Sequence, residues 1–156
     1  MSFTPRDAGP HEIAVKFVNK PIPDSPFHIS VHDASLVRVT GDGLKRAKVG
    51  EKAWINVEMK GGVPLDANDL EVEVSAPNGA KLPTKLSQQG KSGAVRGEFV
   101  PKVVGPHRVE VTFVGSPVSG SPWTCEVYDP SLIKIRDFPE NVYVGEANAF
   151  EGKRNK

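Results

Sequence analysis

The feature that most limits how this chain can fold is that it repeats itself. Phe3, Pro5, the run Gly9-Pro10-His11, Val15, Phe17 and Val18 return 96 positions later as Phe99, Pro101, Gly105-Pro106-His107, Val111, Phe113 and Val114. The match runs on without a gap through Pro21/Pro117, Ser25-Pro26/Ser121-Pro122, Val31/Val127, Asp33/Asp129 and Ser35-Leu36/Ser131-Leu132. Fifteen of the 37 positions from Phe3 to Val39 are identical to their counterparts, and several others are conservative, as at Ile13/Val109 and Ile22/Val118. A weaker echo, Val49-Gly50-Glu51 against Val144-Gly145-Glu146, is shifted by one residue. A period of this length is a whole small domain, whereas a solenoid coil repeats every ~20–50 residues. The 156 residues therefore divide into the last strands of one unit (1–32), a complete unit (33–128) and the first strands of a third (129–156).

Inside the unit the hydrophobic period is two. Ile13, Val15 and Phe17 alternate with Ala14 and Lys16, Val109, Val111 and Phe113 with Glu110 and Thr112, and Leu70, Val72 and Val74 with Glu71 and Glu73. This is the pattern of half-buried strands. Further strands are expected at Leu36 to Thr40, Ala53 to Met59, Leu82 to Gln88, Ala94 to Val100 and Val118 to Tyr128, between turns rich in Gly, Pro, Asn and Ser. Fifteen Gly and fourteen Pro forbid long helices. Seven short strands in such a unit predict an all-β, immunoglobulin-like antiparallel sandwich. Cys125 is the only cysteine, so no intrachain disulfide forms and an antibody-type domain is not supported.

The run from Phe99 to Asp129, Phe-x-Pro, then Gly-Pro-His, Val-x-Val-x-Phe-x-Gly, Ser-Pro-Trp and Val-x-Asp, resembles the filamin-type immunoglobulin repeat. The opening of such a repeat is matched by Asp33-Ala-Ser35-Leu-Val37 and the Gly41-Asp-Gly43-Leu44 turn. The resemblance covers nearly the whole chain. His107 stands where a Tyr is common, Trp123 replaces the usual Phe, and the third unit has no Gly-x-Gly-Leu after Ile135. Each motif element also has a structural reason. Pro122 cannot donate a ladder hydrogen bond and belongs at an edge or bulge, Trp123 caps one end of the core, and Gly41 and Gly43 permit tight turns.

No catalytic constellation stands out. His28 and His32 have the spacing of a helical zinc pair, but on a strand they lie ~13 Å apart. His11 and His107 are repeat equivalents, which indicates packing. Glu71 and Glu73 share a strand face and read as a solvated surface, since no cleft-forming insertion accompanies them. Gly41-Asp-Gly43 lacks the third glycine and the helix of a phosphate loop. Cys125 has no basic neighbour to activate it. Lys153-Arg154-Asn155-Lys156 is a short basic tail that reads as solvated. No enzyme, metal or cofactor is expected.

Lys and Arg number 20 against 19 Asp and Glu, so the formal net charge of +1 provides no field for nucleic acid. Met1 to Glu12 lacks the basic start and apolar run of a signal peptide, and no segment is apolar enough for membrane insertion. A cytoplasmic, cytoskeletal location is expected. The resemblance implies a scaffold or spacer that binds cytoskeletal and receptor-tail proteins by adding a partner's strand beside its third strand, with side chains held between third and fourth strands. Those positions are Leu70, Glu71, Val72, Glu73, Val74 and Ser75, and Leu82, Pro83, Thr84, Lys85 and Leu86. Glu71 and Glu73 would bias the groove toward less acidic partners. Trp54 is a further docking candidate, because Ala53, Ile55 and Val57 define the buried face and Trp54 points outward, either free or partly covered by a loop.

The chain has no segment like the paired calponin-homology domains of full filamins, so actin filaments are expected only through a parent protein. A truncated product fits both interrupted ends. The alternatives are an extracellular adhesion-type immunoglobulin-like module, against which the missing signal peptide and lone cysteine count, and the accessory filamin-like domain of a ubiquitin-ligase-type protein, for which no zinc-ligand cluster is present. The flanks are expected to be poorly ordered unless completed by a neighbour or by each other, which allows a dimer, because ordering 32 residues costs more entropy than Ile13, Val15, Phe17, Phe27, Ile29 and Val31 return.

Overall fold

The computed structural model describes residues 2–134, residue 144 and the backbone of 135, 136 and 151–154. Its strands are β1 (Gly9–Ile13), β2 (Lys16–Phe17), β3 (Lys20–Pro21), β4 (Phe27–Val31), β5 (Val37–Thr40), β6 (Arg46–Lys48), β7 (Ala53–Met59) and β8 (Leu70–Ser75). There follow β9 (Lys81–Leu82), β10 (Lys85–Gln89), β11 (Ala94–Phe99), β12 (Gly105–Phe113), β13 (Ser116–Pro117), β14 (Trp123–Tyr128), β15 (Ile133–Arg136) and β16 (Glu151–Arg154). Among the described residues the only helical turns are short 3₁₀ pieces, as the frequency of Gly and Pro requires.

Two sheets carry the central unit. One runs β6-β14-β12-β8-β9 with β13 folded onto β12, and the other runs β10-β11-β7-β5. All pairs are antiparallel except β14 with β6. The alternation seen in the sequence is the burial pattern of the strands: Ile55 and Val57 from one sheet meet Val74, Val109 and Val111 from the other, all fully buried. Each such side chain contributes ~1.5–3 kcal/mol on leaving water. This is the expected immunoglobulin-like sandwich.

Two expectations about its strands need correction. The segment expected as one strand from Leu82 to Gln88 is two, β9 and β10, in different sheets. Pro83 has no N–H to continue the ladder, so the chain leaves one sheet there and joins the other at Lys85. The last strand begins at Trp123, not Val118, because Ser121 and Pro122 break the ladder before it. β6 was not expected at all; of its three residues only Ala47 is buried, too short a pattern to read.

The motif residues hold turns. Asp33 Oδ1 accepts the Ser35 N–H and Asp129 Oδ1 the Ser131 N–H, each at 2.9 Å, opening the 3₁₀ turns that lead into β5 and β15. The Ser25 and Ser121 hydroxyls accept the N–H groups of Val15 (2.9 Å) and Val111 (3.0 Å). Gly41 has φ +126°, and a Cβ there would lie 2.6 Å from the Trp54 carbonyl oxygen; at Gly43 the same oxygen would be 2.8 Å away. The Gly-x-Gly-Leu turn thus needs glycine because it lies directly on the β7 backbone.

N-terminal to the sandwich, β1 pairs with β4 and β2 with β3, repeating the arrangement of β12, β13 and β14 without an opposing sheet. At the other end β15 pairs with β16, Ile133 opposite Arg154. The echo Val144-Gly145-Glu146 lies outside the described residues apart from Val144, as do Asn155 and Lys156 of the basic tail.

Candidate functional site

β8 pairs with β12 along its whole length, from Leu70 opposite Phe113 to Ser75 opposite Arg108. On its other side β9 reaches only Val74 and Ser75, through Leu82 and Lys81. Among the described residues, the edge from Leu70 to Glu73 therefore has no strand beside it. Once past Pro83, β10 forms the edge of the opposite sheet, paired only with β11. The sheets part between β8 and β10, and the apolar side chains there, Val72, Leu82 and Leu86, are only half-buried against the core. An unpaired edge above a partly exposed apolar floor can accept a strand whose alternate side chains point inward.

The charges of this edge lie on the outer face. Glu71 is exposed, while Glu73 accepts a 2.6 Å hydrogen bond from Lys81 Nζ, which holds the lysine above its ordinary pKa range. Beside them Arg108 and Glu110 pair at 2.7 Å on β12. Such surface pairs stabilise little, but they leave Glu71 as the open charge next to the edge. Pro83 and Lys85 are exposed, and Thr84 is half-buried.

Trp54 does point outward from β7, and it is partly covered. The Arg96 guanidinium stacks 5.0 Å from its ring, and the Gly41 turn lies close to the ring. The histidines do not converge: His28 lies on β4, and His32 meets the Phe113 ring edge-on at 5.5 Å. His107 is fully buried; its Nδ1–H donates to the Gly105 carbonyl at 3.0 Å, and its Nε2 has no hydrogen-bond partner. Opposite it on β14, Cys125 is buried, and desolvation pushes its thiol up to about 11, far from a nucleophile's range. Among the described residues no three His, Cys, Asp or Glu side chains could hold a metal ion. No described helix is long and apolar enough to cross a membrane.

The sequence reading named Leu82 to Lys85 but missed the apolar depression beside the β9–β10 segment that they line together with Phe99, Val100 and Val103. Its signal was available in Val100-Pro-Lys-Val-Val104, an unusually apolar stretch for a connection between strands.

Comparison with known proteins agrees with the sandwich fold. The family model described as the filamin/ABP280 repeat matches residues 31–124. Filamin-C of Rattus norvegicus is 33% identical over 171 aligned residues, which take in 96% of this chain and 6% of that protein. Filamin-A of Drosophila melanogaster is 33% identical over 137, covering 81% of this chain and again 6% of the relative. This chain thus spans a small part of the length of these relatives. In fold it is similar to the crystal structure of the Lin-41 filamin domain, with a TM-score of 0.55 at 23% identity, covering 62% of this chain and 95% of that one.

Proposed function

This chain belongs to the filamin family, and on that premise we propose that residues 33–128 act as a non-enzymatic scaffold unit that captures partner peptides by strand addition at the β8 edge. The observation that carries this reading is the strand-free stretch from Leu70 to Glu73 beside the half-buried Val72, Leu82 and Leu86. A partner strand laid there gains main-chain hydrogen bonds from β8, and its inward side chains cover the apolar floor. The outward ones pass Glu71, so a neutral or basic strand with alternating apolar residues fits best. Cytoskeletal and receptor-tail proteins are the partner class the family suggests. Attachment to actin filaments would come through a longer parent protein, in the cytoplasm.

The test is binding of a synthetic peptide of alternating valine and serine, flanked by lysines, to the full chain and to Val72→Lys. The expected result is saturable shifts of the Leu70 to Glu73 amides in wild type and affinity at least tenfold weaker in the variant, about 1.4 kcal/mol. Equal binding by a folded Val72→Lys would remove the β8 edge as the site.

A further inference from the structure

The depression beyond the β9–β10 segment has a volume of about 510 Å³ and an apolar interior of Leu82, Pro83, Phe99, Val100 and Val103. Phe99 belongs to the core, but Val103 is 39% exposed. Four lysines stand around the mouth, Lys52, Lys81, Lys85 and Lys102, with Glu98 as the single carboxylate. Glu98 is already engaged by Lys52 at 3.7 Å and Arg96 at 3.3 Å, and Lys81 is paired with Glu73. Lys85 and Lys102 form no ion pair among the described residues. A chain whose formal charge is only +1 therefore leaves two unpaired lysines, Lys85 and Lys102, beside one apolar hollow.

We infer that this hollow, which shares the Leu82 to Lys85 segment with the β8 groove but includes none of the Leu70 to Ser75 strand, is a second docking site, for an acidic peptide segment of a partner protein that carries one bulky apolar side chain. The apolar floor takes the anchor, and exclusion of water around it strengthens the pairing of flanking carboxylates with Lys85 and Lys102. A peptide fits better than a small amphiphile for two reasons. The hollow is a depression in the surface between the β8–β9 turn, β10 and the loop after β11, so it cannot enclose a hydrocarbon chain. Its lysines also come from separate segments around the mouth, which suits carboxylates on both sides of an anchor. The two sites favour opposite charge: the β8 edge presents Glu71, and this hollow presents lysines.

The probe is a fluorescein-labelled, end-capped pentapeptide with a central tryptophan and two glutamates on each side, titrated into the full chain at 20 mM and 200 mM salt. Saturable binding is expected at low salt, at least fivefold weaker at high salt, with amide shifts confined to 82–85 and 99–103. The exposed double variant Lys85→Glu/Lys102→Glu should weaken it at least tenfold, and so should replacing the tryptophan with alanine. Three results would overturn the inference: equal binding by a peptide with lysines in place of the glutamates, shifts centred on Leu70 to Glu73, or displacement of the peptide by laurate at lower concentration than by unlabelled peptide. The last would make the hollow an amphiphile site. Since the alternating peptide used for the β8 edge is basic, failure of either probe leaves the other site's result standing.

Discussion

The β1–β4 region and the β12–β14 region are the same sequence motif in two settings. Both open on Gly-Pro-His with the histidine Nδ1 at 3.0 Å from the glycine carbonyl two residues back. Both turn at a valine with φ +47° and close on a serine whose hydroxyl holds a strand N–H. Local geometry is thus written in the motif and repeats whether or not anything packs on it. Burial does not repeat: Phe113 is 4% exposed and Phe17 75%, Val111 is fully buried and Val15 38% exposed. The difference is the sheet β10-β11-β7-β5, which faces β12 and has no counterpart over β1 among the described residues. Turn chemistry specifies the shape of such a hairpin, and the opposing sheet supplies most of its stability.

Substituting paired positions sharpens this contrast. Phe113→Ala should cost about 3–5 kcal/mol in urea unfolding followed by tryptophan fluorescence, and Phe17→Ala should stay within about 0.5. Comparable losses would mean that the N-terminal hairpin is covered in solution. Removing the hydroxyl at Ser121→Ala strands the Val111 N–H in the core, for a loss of about 1–3 kcal/mol, while Ser25→Ala leaves the Val15 N–H to water with little effect on the same transition. At the tight turns the sign reverses. Val114 sits at a positive φ that β-branched residues resist, so Val114→Asn should raise the stability by about 0.5–1 kcal/mol, and Val18→Asn should leave it unchanged. The weakest contrast is acid sensitivity. The Ser35 and Ser131 hydrogen bonds hold Asp33 and Asp129 below their ordinary range of 3.8. A carboxylate depressed on folding stabilises fully above its unfolded pKa and loses that contribution as pH falls through its lowered folded pKa. Asp33→Asn and Asp129→Asn should therefore flatten the stability profile slightly between pH 4 and lower values, equally for both, since both turns are exposed.

How far the sequence could be read follows from the same separation. Repeat length, strand period and turn residues act locally, and they suffice for the sandwich and for Trp54 facing outward. The parting of β9 from β10 is different: Leu82, Thr84 and Leu86 alternate as one strand would, and only Pro83 marks the change of sheet. The groove is less legible still. Val72 and Val74 look identical along the chain, yet Val74 is sealed and Val72 half-buried because β9 stops short of it. What made those residues candidates was resemblance to a family, since an unpaired edge leaves no pattern of its own. The lysines around the second hollow come from four segments spread over 50 residues and meet only in the fold.

Native-state hydrogen exchange tests the central claim most directly, on a chain shown to be monomeric at the working concentration. Alternate amides of Val109 to Phe113 should exchange only through global unfolding, with protection that tracks the stability measured in urea. Those of Ile13 to Phe17 should exchange orders of magnitude faster and independently of Phe113→Ala. Equal protection in the two hairpins would contradict the account, because it would require the N-terminal copy of the motif to be stable without an opposing sheet.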